Sequence, residues 1–535
     1  MNYKSLLSLA LASVAFTISA QTHLEGVEYY EAGQLDNAKE LLTRNHDNSA
    51  TDKAVSYYYQ GMIALDDNQP AKAAELFNKG ALANPEYAYN YIGLGLIDLK
   101  SGTPKVAEAN FKKAESLGKK DAGVQIAIAR AYDAVDPSLY EKEITKRLEK
   151  ARKINIKDPD IYIFEGDVKA RNKDYGGAGA SYEMATSYDK NATAAYFKYA
   201  NLFSQVNPEY GINMLKKLLQ LNPNSALGQR SLANAYYDQS MFKEAAEEYG
   251  KYVKNPNHFK QDEDRYAFLL FYGQDYQAGY DYATQLLKSN PDNFSAMRYQ
   301  FMNAAQIPAM ADKLLPMAQA LYNKHLSDQK KYTMAPIDYI LIAEEMQKDN
   351  SIEKSQAVDN AIAVLNDGLK NMPDNASFYK QLSMLYVDKN DMPGACKAFD
   401  GYLQNTKNPG YNDMIQAAVF AFYAGVQTKN DPAESAKFYD LASKFTDKAA
   451  ELYPGMYRPA KIKGDIDLQK GNDAAGVDYY LQSIDQLEKM DGDKSRYASD
   501  AKTMYYTVGK HFIDKGDNAR GQSYIDKFGQ LFPGK

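Results

Sequence analysis

The sequence predicts an all-α, superhelical solenoid of about 13–14 stacked helix pairs, built on a recurring unit of about 34 residues. Three observations carry this. Gly61, Ala73, Phe77 and Pro85 return thirty-four residues later, with one gap, as Gly95, Ala107 and Phe111. Asn-Pro or Met-Pro closes unit after unit, at Asn84-Pro85, Asn222-Pro223, Asn255-Pro256, Asn290-Pro291 and Met372-Pro373. Tyrosine is abundant, with 45 residues and no tryptophan, and many tyrosines fall at fixed places in the same frame.

Each unit reads as two helices and a stop. Small residues twelve apart let the two helices approach closely, and apolar residues at i, i+3, i+4 and i+7 form the stripe that each buries. Proline then ends the second helix, because it disfavours the helical conformation of the residue before it. The frame continues as Gly166, Ala178, Tyr182 and Ala185, then as Ala233, Ala245 and Tyr249, then as Ala267, Gly279 and Pro291. It returns as Ala361, Leu365 and Pro373, as Ser383, Ala395 and Phe399, as Gly464, Gly476 and Tyr480, and as Gly509, Gly521, Ile525 and Pro533. The unit around Ala129, Tyr132, Leu148 and Ala151 carries extra residues near Val135-Asp136-Pro137, which predicts a longer turn. Tyr57, Tyr91, Tyr162, Tyr196, Tyr379 and Tyr505 share one frame position, and Tyr29, Tyr132, Tyr236 and Tyr386 another. An aromatic there fills the space between paired helices while its hydroxyl reaches the wet edge, so much of the tyrosine excess is packing.

Residues 1–20 read as a secretory signal: Lys4 precedes an apolar stretch from Leu6 to Thr17, and Ser19-Ala20 precede Gln21. The apolar stretch is too short to span a bilayer, and the next most apolar run, Met414 to Val426, fits a buried helix. No membrane-spanning segment is expected after signal removal. Cys396 is the single cysteine, so no intramolecular disulfide can form. With 63 Lys and Arg against 69 Asp and Glu the net charge is −6, and signal removal subtracts only Lys4. That mild acidity argues against nucleic acid or an anionic membrane surface as the main partner. The reading divides the chain into the signal (1–20), a first repeat block (21–293), a distorted repeat or joint (294–335) and a second repeat block (336–535). The third segment matches poorly because Pro308, Pro316 and Pro336 break its periodicity, and Met297, Met302, Met310, Met317 and Met334 there read as flexible gap-fillers.

No catalytic, metal or cofactor constellation is expected. The five histidines, His23, His46, His258, His325 and His511, lack metal-ligand spacing and read as surface or turn residues. Cys396, beside Ala395 on a second helix, reads as a small buried hydrophobe. Gly529 to Lys535 spells a phosphate-loop pattern without its hydroxyl residue or following helix, and the Tyr175–Gly179 glycines fall where a second helix starts.

The recurring small, small, aromatic and proline positions resemble those of the tetratricopeptide repeat family, with tyrosine in place of that family's tryptophan. The resemblance extends over nearly all of the chain after the signal. It implies a right-handed superhelix whose concave face, lined by first helices, holds a peptide. Carried over residue by residue, it makes Arg230, Asn234 and Tyr237 of one unit and Phe268, Phe271 and Tyr272 of the next, with Arg265 adjacent, a partner-binding groove. Arg230 with Asn234 resembles half of a carboxylate clamp, for which the planar guanidinium is suited, and an acidic protein tail is the implied ligand. The preceding unit offers Asn201 but has Phe197 where a clamp lysine would stand. A solvated face with local ion pairs is the competing reading, and the one the sequence favours. The expectation is therefore a non-enzymatic interaction scaffold of the bacterial cell envelope, periplasmic, holding protein or peptide partners, with association with an outer-membrane complex left open. The alternatives are glycan or peptidoglycan binding by inward tyrosines (Tyr58, Tyr237, Tyr272 and Tyr506) and a non-catalytic subunit of an envelope enzyme or secretion complex.

Overall fold

The computed structural model describes residues 22–204 and 206–535, so the expected signal at 1–20 lies outside the described residues. Among the described residues the chain forms 28 α-helices, three short 3-10 turns and no strand. It divides into two compact units, one ending at Pro291 and the other covering Asp292–Lys535.

The first unit holds eight successive helix pairs: α1 His23–Glu31 and α2 Leu35–Arg44, α3 Lys53–Asp66 and α4 Pro70–Ala83, α5 Tyr89–Lys100 and α6 Pro104–Leu117, α7 Ala122–Asp133 and α8 Glu141–Ile154, α9 Pro159–Arg171 and α10 Tyr175–Tyr188, α11 Thr193–Phe203 and α12 Pro208–Leu221, α13 Ala226–Asp238 and α14 Phe242–Tyr252, α15 Glu263–Tyr272 and α16 Tyr276–Ser289. The second holds six: α17 Phe294–Ala304 and α18 Ala311–Ser327, α19 Pro336–Gln347 and α20 Lys354–Asn371, α21 Ala376–Asp388 and α22 Met392–Asn405, α23 Tyr411–Gln427 and α24 Pro432–Leu452, α25 Tyr457–Gln469 and α26 Asp473–Lys489, α27 Ala498–Asp514 and α28 Asn518–Leu531. Every helix of a pair packs along its partner, and pairs stack on their neighbours within each unit.

Local chemistry sets the helix ends. Asp52, Asp121, Asp158, Ser225, Asn375 and Asp431 cap helices by accepting backbone N–H bonds with their side chains. Pro70, Pro104, Pro208, Pro336 and Pro432 occupy first turns, where the missing N–H costs nothing. The tight turn within many pairs uses one residue with positive φ: Gly33, Asn68, Gly102, Lys173, Ser240, Gln274, Asn390, Gly471 and Gly516. The turn from α7 to α8 is longer, running from 134 to 140.

The core repeats a single lock. Phe77 is fully buried, and its ring lies in a slot between Gly61 of its own pair and Gly93 of the next. A Cβ on either glycine would come within 2.4 Å of that ring. Gly95 with Phe111, Gly166 with Tyr182 and Gly464 with Tyr480 repeat the contact. Replacing glycine by alanine in a helix is ordinarily favourable by about 0.5–1 kcal/mol, whereas overpacking a dense core costs about 1–3 kcal/mol. Because Phe77 has no free space to retreat into, the second effect decides the sign. Gly61→Ala is therefore expected to lower the denaturation midpoint of the full chain. Gly529→Ala, where nothing lies within 4 Å of the added carbon, raises it slightly or leaves it unchanged. Equal midpoints for Gly61→Ala and the parent chain would remove the lock from the account.

Many frame tyrosines are packing groups whose hydroxyls bond to neighbouring protein groups, though that of Tyr29 is buried without a partner. Tyr29, Tyr132, Tyr162, Tyr196, Tyr236 and Tyr505 are buried. The Tyr132 hydroxyl donates to Glu108 (3.1 Å), that of Tyr162 to the Ile156 carbonyl (2.8 Å) and that of Tyr505 to Glu488 (2.6 Å). Cys396 is buried on α22, and burial pushes its thiol up to about 12.

Two histidines depart from expectation. His23 and His325 are buried, the latter only 1% exposed. His325 sits on α18, where its Nδ1 lies 2.7 Å from the Tyr332 carbonyl and its Nε2 3.1 Å from the Tyr339 hydroxyl and 3.3 Å from Asp367. A spacing rule for metal ligands is blind to a histidine satisfied singly by partners 7 to 42 residues away. The segment 294–335 folds as the helix pair α17–α18, with Pro308 opening a 3-10 turn and Pro316 inside α18. Met302 and Met334 are buried there, while Met297, Met310 and Met317 are half-buried.

Candidate functional site

The first unit curls until its opening pair meets its seventh. The Ser225 hydroxyl, at the N-cap of α13, donates to Glu28 on α1 (2.8 Å). Arg44 of α2 donates to the His258 carbonyl (3.1 Å), and Asn45 Nδ2 to Asn257 Oδ1 (3.3 Å). The Tyr29 ring meets Phe259 edge-on at 5.4 Å. Residues some 200 positions apart thus form one seam, which the repeat frame does not foretell.

That seam decides the surroundings of Arg230. Its Nε lies 2.8 Å from Asp262 Oδ2, Nη1 donates to Gln34 (3.3 Å), and the guanidinium stands 5.6 Å from the centre of the Phe259 ring. Asp262 also accepts from the Tyr252 hydroxyl (2.8 Å). The guanidinium is therefore held by groups of its own chain, in the manner of a local ion pair. Asn234 lies one turn further along α13, and its Oδ1 is buried without a hydrogen-bond partner. With Asn201, Gln34 and Asp238 it lines a cavity of about 310 Å³.

The other expected residues form a separate cluster. Tyr237 of α13 lies 5.7 Å from Phe268 of α15, and Arg265 stands over the Tyr237 ring at 4.8 Å. Phe268 contacts Tyr272 at 4.5 Å, and Phe271 meets Tyr272 edge-on at 5.3 Å. Phe242, at the start of α14, joins from the side, 5.8 Å from Tyr237 and 5.5 Å from Tyr272. Tyr272 is 42% exposed, Arg265 is exposed, and the remaining rings are half-buried. Of the seven expected residues, five share this aromatic surface, while Arg230 and Asn234 face the closing seam and its cavity.

A second cavity, of about 500 Å³, lies on the first-helix faces of the opening pairs. Its wall is built from tyrosine. Tyr58 meets Tyr59 at 5.0 Å, Tyr89 at 5.6 Å and Tyr87 at 6.3 Å, each edge-on. Tyr87 and Tyr89 stack at 5.1 Å, and Tyr30 of α1 closes on Tyr59 at 5.1 Å. The remaining lining is part apolar, with Met62, Ile92, Leu96 and Ile126, and part charged, with Glu31, Asp66, Asp133 and Asp160 against Arg130 and Arg171. Arg171 binds Asp133 through two bonds (2.8 and 2.7 Å), while Arg130 pairs with Asp167 (3.1 Å) and covers Phe164. The Tyr59 hydroxyl donates to Glu31 (3.2 Å). Burial holds the hydroxyls of Tyr30, Tyr59, Tyr87 and Tyr89 well above the ordinary phenol range, so they remain protonated. Of this wall the sequence identified only Tyr58 as inward-facing. Tyr30, Tyr59, Tyr87 and Tyr89 belong to the first three consecutive pairs, whose first helices touch one another.

Among the described residues no group of His, Cys, Asp or Glu is placed to hold a metal ion, and no helix is long and apolar enough to cross a membrane.

The class is thus an all-α solenoid of tetratricopeptide-like helix pairs. No protein-family model matches the chain, and no curated relative does. Among solved structures it is similar to pilF of Pseudomonas aeruginosa, at 18% identity and a TM-score of 0.28, covering 40% of this chain and 97% of that one. It is similar also to yeast Tom70, at 13% identity and a TM-score of 0.28, over 91% of this chain and 95% of that one. A complex of Naa15 and Naa10 bound to HypK gives 14% identity and a TM-score of 0.27, over 88% and 68%. At such scores these likenesses add no weight to the helix-pair architecture, which stands on its own packing.

Proposed function

We propose that the protein is a non-enzymatic interaction scaffold of the bacterial cell envelope, exported by the segment at 1–20, and that it holds a segment of a partner protein on the first helices of its seventh and eighth pairs. The observation that supports this best is the aromatic surface of Tyr237, Phe268, Phe271 and Tyr272 with Arg265 beside it. Its large side chains are left partly open to solvent. Aromatic residues and arginine are the groups that dominate binding energy at protein interfaces. Arg265 supplies the attraction for an acidic partner segment, since Arg230 is engaged by Asp262. Asn201 and Asn234, at the neighbouring cavity, present amides suited to a peptide backbone.

The test is site-specific photo-crosslinking in an envelope-bearing bacterial host that makes the full chain with its own N-terminal segment. A photoreactive residue at Tyr272 is expected to trap a discrete partner in the envelope fraction. The same residue at Lys217, exposed on the second helix of the sixth pair, traps none. Identical band patterns from the two positions would overturn the surface assignment. Recovery of the chain from the cytoplasm alone would overturn its location.

A further inference from the structure

We propose that the tyrosine-walled cavity of the first unit is a binding site for a lysine- or arginine-bearing peptide segment, whose cationic side chain enters the cage formed by Tyr30, Tyr58, Tyr59, Tyr87 and Tyr89. The site lies apart from the α13–α15 surface. Its biological role rests on the scaffold reading, but its binding chemistry does not.

Three features point to a cation. The first is the wall itself. Five tyrosine rings at centroid separations of 5.0 to 6.3 Å line this one cavity. A cation within about 6 Å of such faces is attracted by the ring quadrupole, more strongly when it is desolvated. The second is the charge balance. The lining sets the carboxylates of Glu31, Asp66, Asp133 and Asp160 against the guanidiniums of Arg130 and Arg171; Arg171 is engaged by Asp133, and Arg130 by Asp167, which Lys198 also binds. Arg130 feels the charge of Glu31 without a direct ion pair to it, and Glu31 accepts a hydrogen bond from the Tyr59 hydroxyl. Partial desolvation, with repulsion from Asp67, lifts the carboxyl of Asp66 above its ordinary range against the pull of Lys100. The third is size. A volume of about 500 Å³ falls within the range of ligand pockets, about 300–1,000 Å³, and is ample for an extended cationic side chain with its flanking backbone.

A saccharide also stacks on tyrosine and bonds to carboxylates, but it brings no positive charge to relieve the surplus. The cation is therefore the better fit, and the saccharide becomes an outcome of the test.

The experiment is isothermal titration of the full chain with tetralysine amide, with its Nε-acetylated counterpart and with chitotetraose. Tetralysine is expected to bind, and acetylation is expected to weaken it at least tenfold. The pair Glu31→Gln and Asp66→Asn together weakens tetralysine binding tenfold or more, and Tyr87→Leu several-fold, with unchanged circular dichroism. Asp440→Asn, which removes a charge from an exposed site in the second unit, leaves it unchanged. Equal binding by the Glu31→Gln/Asp66→Asn chain and the Asp440→Asn chain would show that tetralysine merely coats an acidic surface, and overturns the site. So does equal affinity for the acetylated peptide. Binding of chitotetraose that Tyr87→Leu abolishes, with none of tetralysine, reassigns the cavity to a saccharide. Any of these results leaves the crosslinking outcome at Tyr272 untouched, so the two readings fail separately.

Discussion

Replacing Glu25 and Glu28 by glutamine is expected to raise the stability of the first unit above pH 7 while leaving it unchanged near pH 4.5. Both carboxylates lie on one face of α1, three residues apart, and both turn toward the start of α13 in the closing seam. Glu28 accepts from the Ser225 hydroxyl, but its Oε1 and the Oε2 of Glu25 are buried without hydrogen-bond partners. Burial, then repulsion from Glu28, pushes the Glu25 carboxyl up to about 8 from an ordinary value of 4.5, against a backbone bond from Ala226. Burial pushes Glu28 up to about 7, against the Ser225 bond. Between the ordinary and the raised values the folded chain keeps protons that the unfolded chain has lost. Stability must then fall as pH rises through that window, by about 1.4 kcal/mol per pH unit for each fully shifted group.

Glutamine is neutral at every pH and mimics the protonated acid. The parent and the double variant therefore coincide below the window and separate by several kcal/mol, to order of magnitude, at pH 8. Because helix-pair arrays unfold in sections, the sensitive readout is hydrogen exchange in residues 23–44 and 255–262. Protection there falls from pH 5 to pH 8 in the parent chain and stays flat in Glu25→Gln/Glu28→Gln. Parallel curves for the two chains would refute the seam as a pH-dependent contact.

This seam marks the boundary between what the sequence discloses and what it withholds. Helix pairing is legible because its causes are local. The small residue, the aromatic sixteen positions on and the closing proline occur within one unit, and each has a one-to-one physical role in Gly61, Phe77 and Pro85. Even so, the aromatic's true partner set includes Gly93 of the next unit, which a single-unit frame does not mark. The turn signal is half hidden for a related reason. Gly33, Asn68 and Gly102 announce a left-handed residue, but Lys173, Ser240 and Gln274 adopt the same conformation without the side chain that advertises it. Curvature is another matter. It sums small rotations over seven pairs, and that sum places Arg230 beside Gln34. Tyr237, Phe268 and Tyr272 could be grouped in advance because they sit on consecutive units. The tyrosine cage sits on consecutive units as well, so its grouping is equally open to the frame.

Arg298→Leu is expected to destabilise the second unit by about 3–5 kcal/mol, the cost of leaving a buried charge without its partner. Arg298 on α17 holds Asp338 on α19 through Nε and Nη2, both at 2.8 Å from Oδ2. The Asp338 side chain is entirely buried, and the same oxygen accepts the Ala335 backbone N–H (2.7 Å) that caps α19. Burial lifts the Asp338 carboxyl above its ordinary range even with Arg298 in place, so little margin remains once the guanidinium is gone. The pair stands where the repeat frame is weakest, between helices whose surroundings carry Pro308, Pro316 and Pro336. There a charged tie fixes the register that small and aromatic residues fix elsewhere.

A second substitution separates this from simple loss of packing. In the Arg298→Leu background, Asp338→Asn removes the stranded charge while keeping an oxygen for the Ala335 N–H, so the double variant should be more stable than Arg298→Leu alone. The deficit of the single variant should also shrink as pH falls and Asp338 takes up a proton, whereas a packing defect is indifferent to pH. Urea denaturation of the full chain, followed by hydrogen exchange in residues 294–347, measures both effects. A double variant no more stable than Arg298→Leu would show that the arginine acts through its bulk, and that the register of α17 and α19 is set by the apolar contacts around Ala296, Phe301 and Ile342 instead.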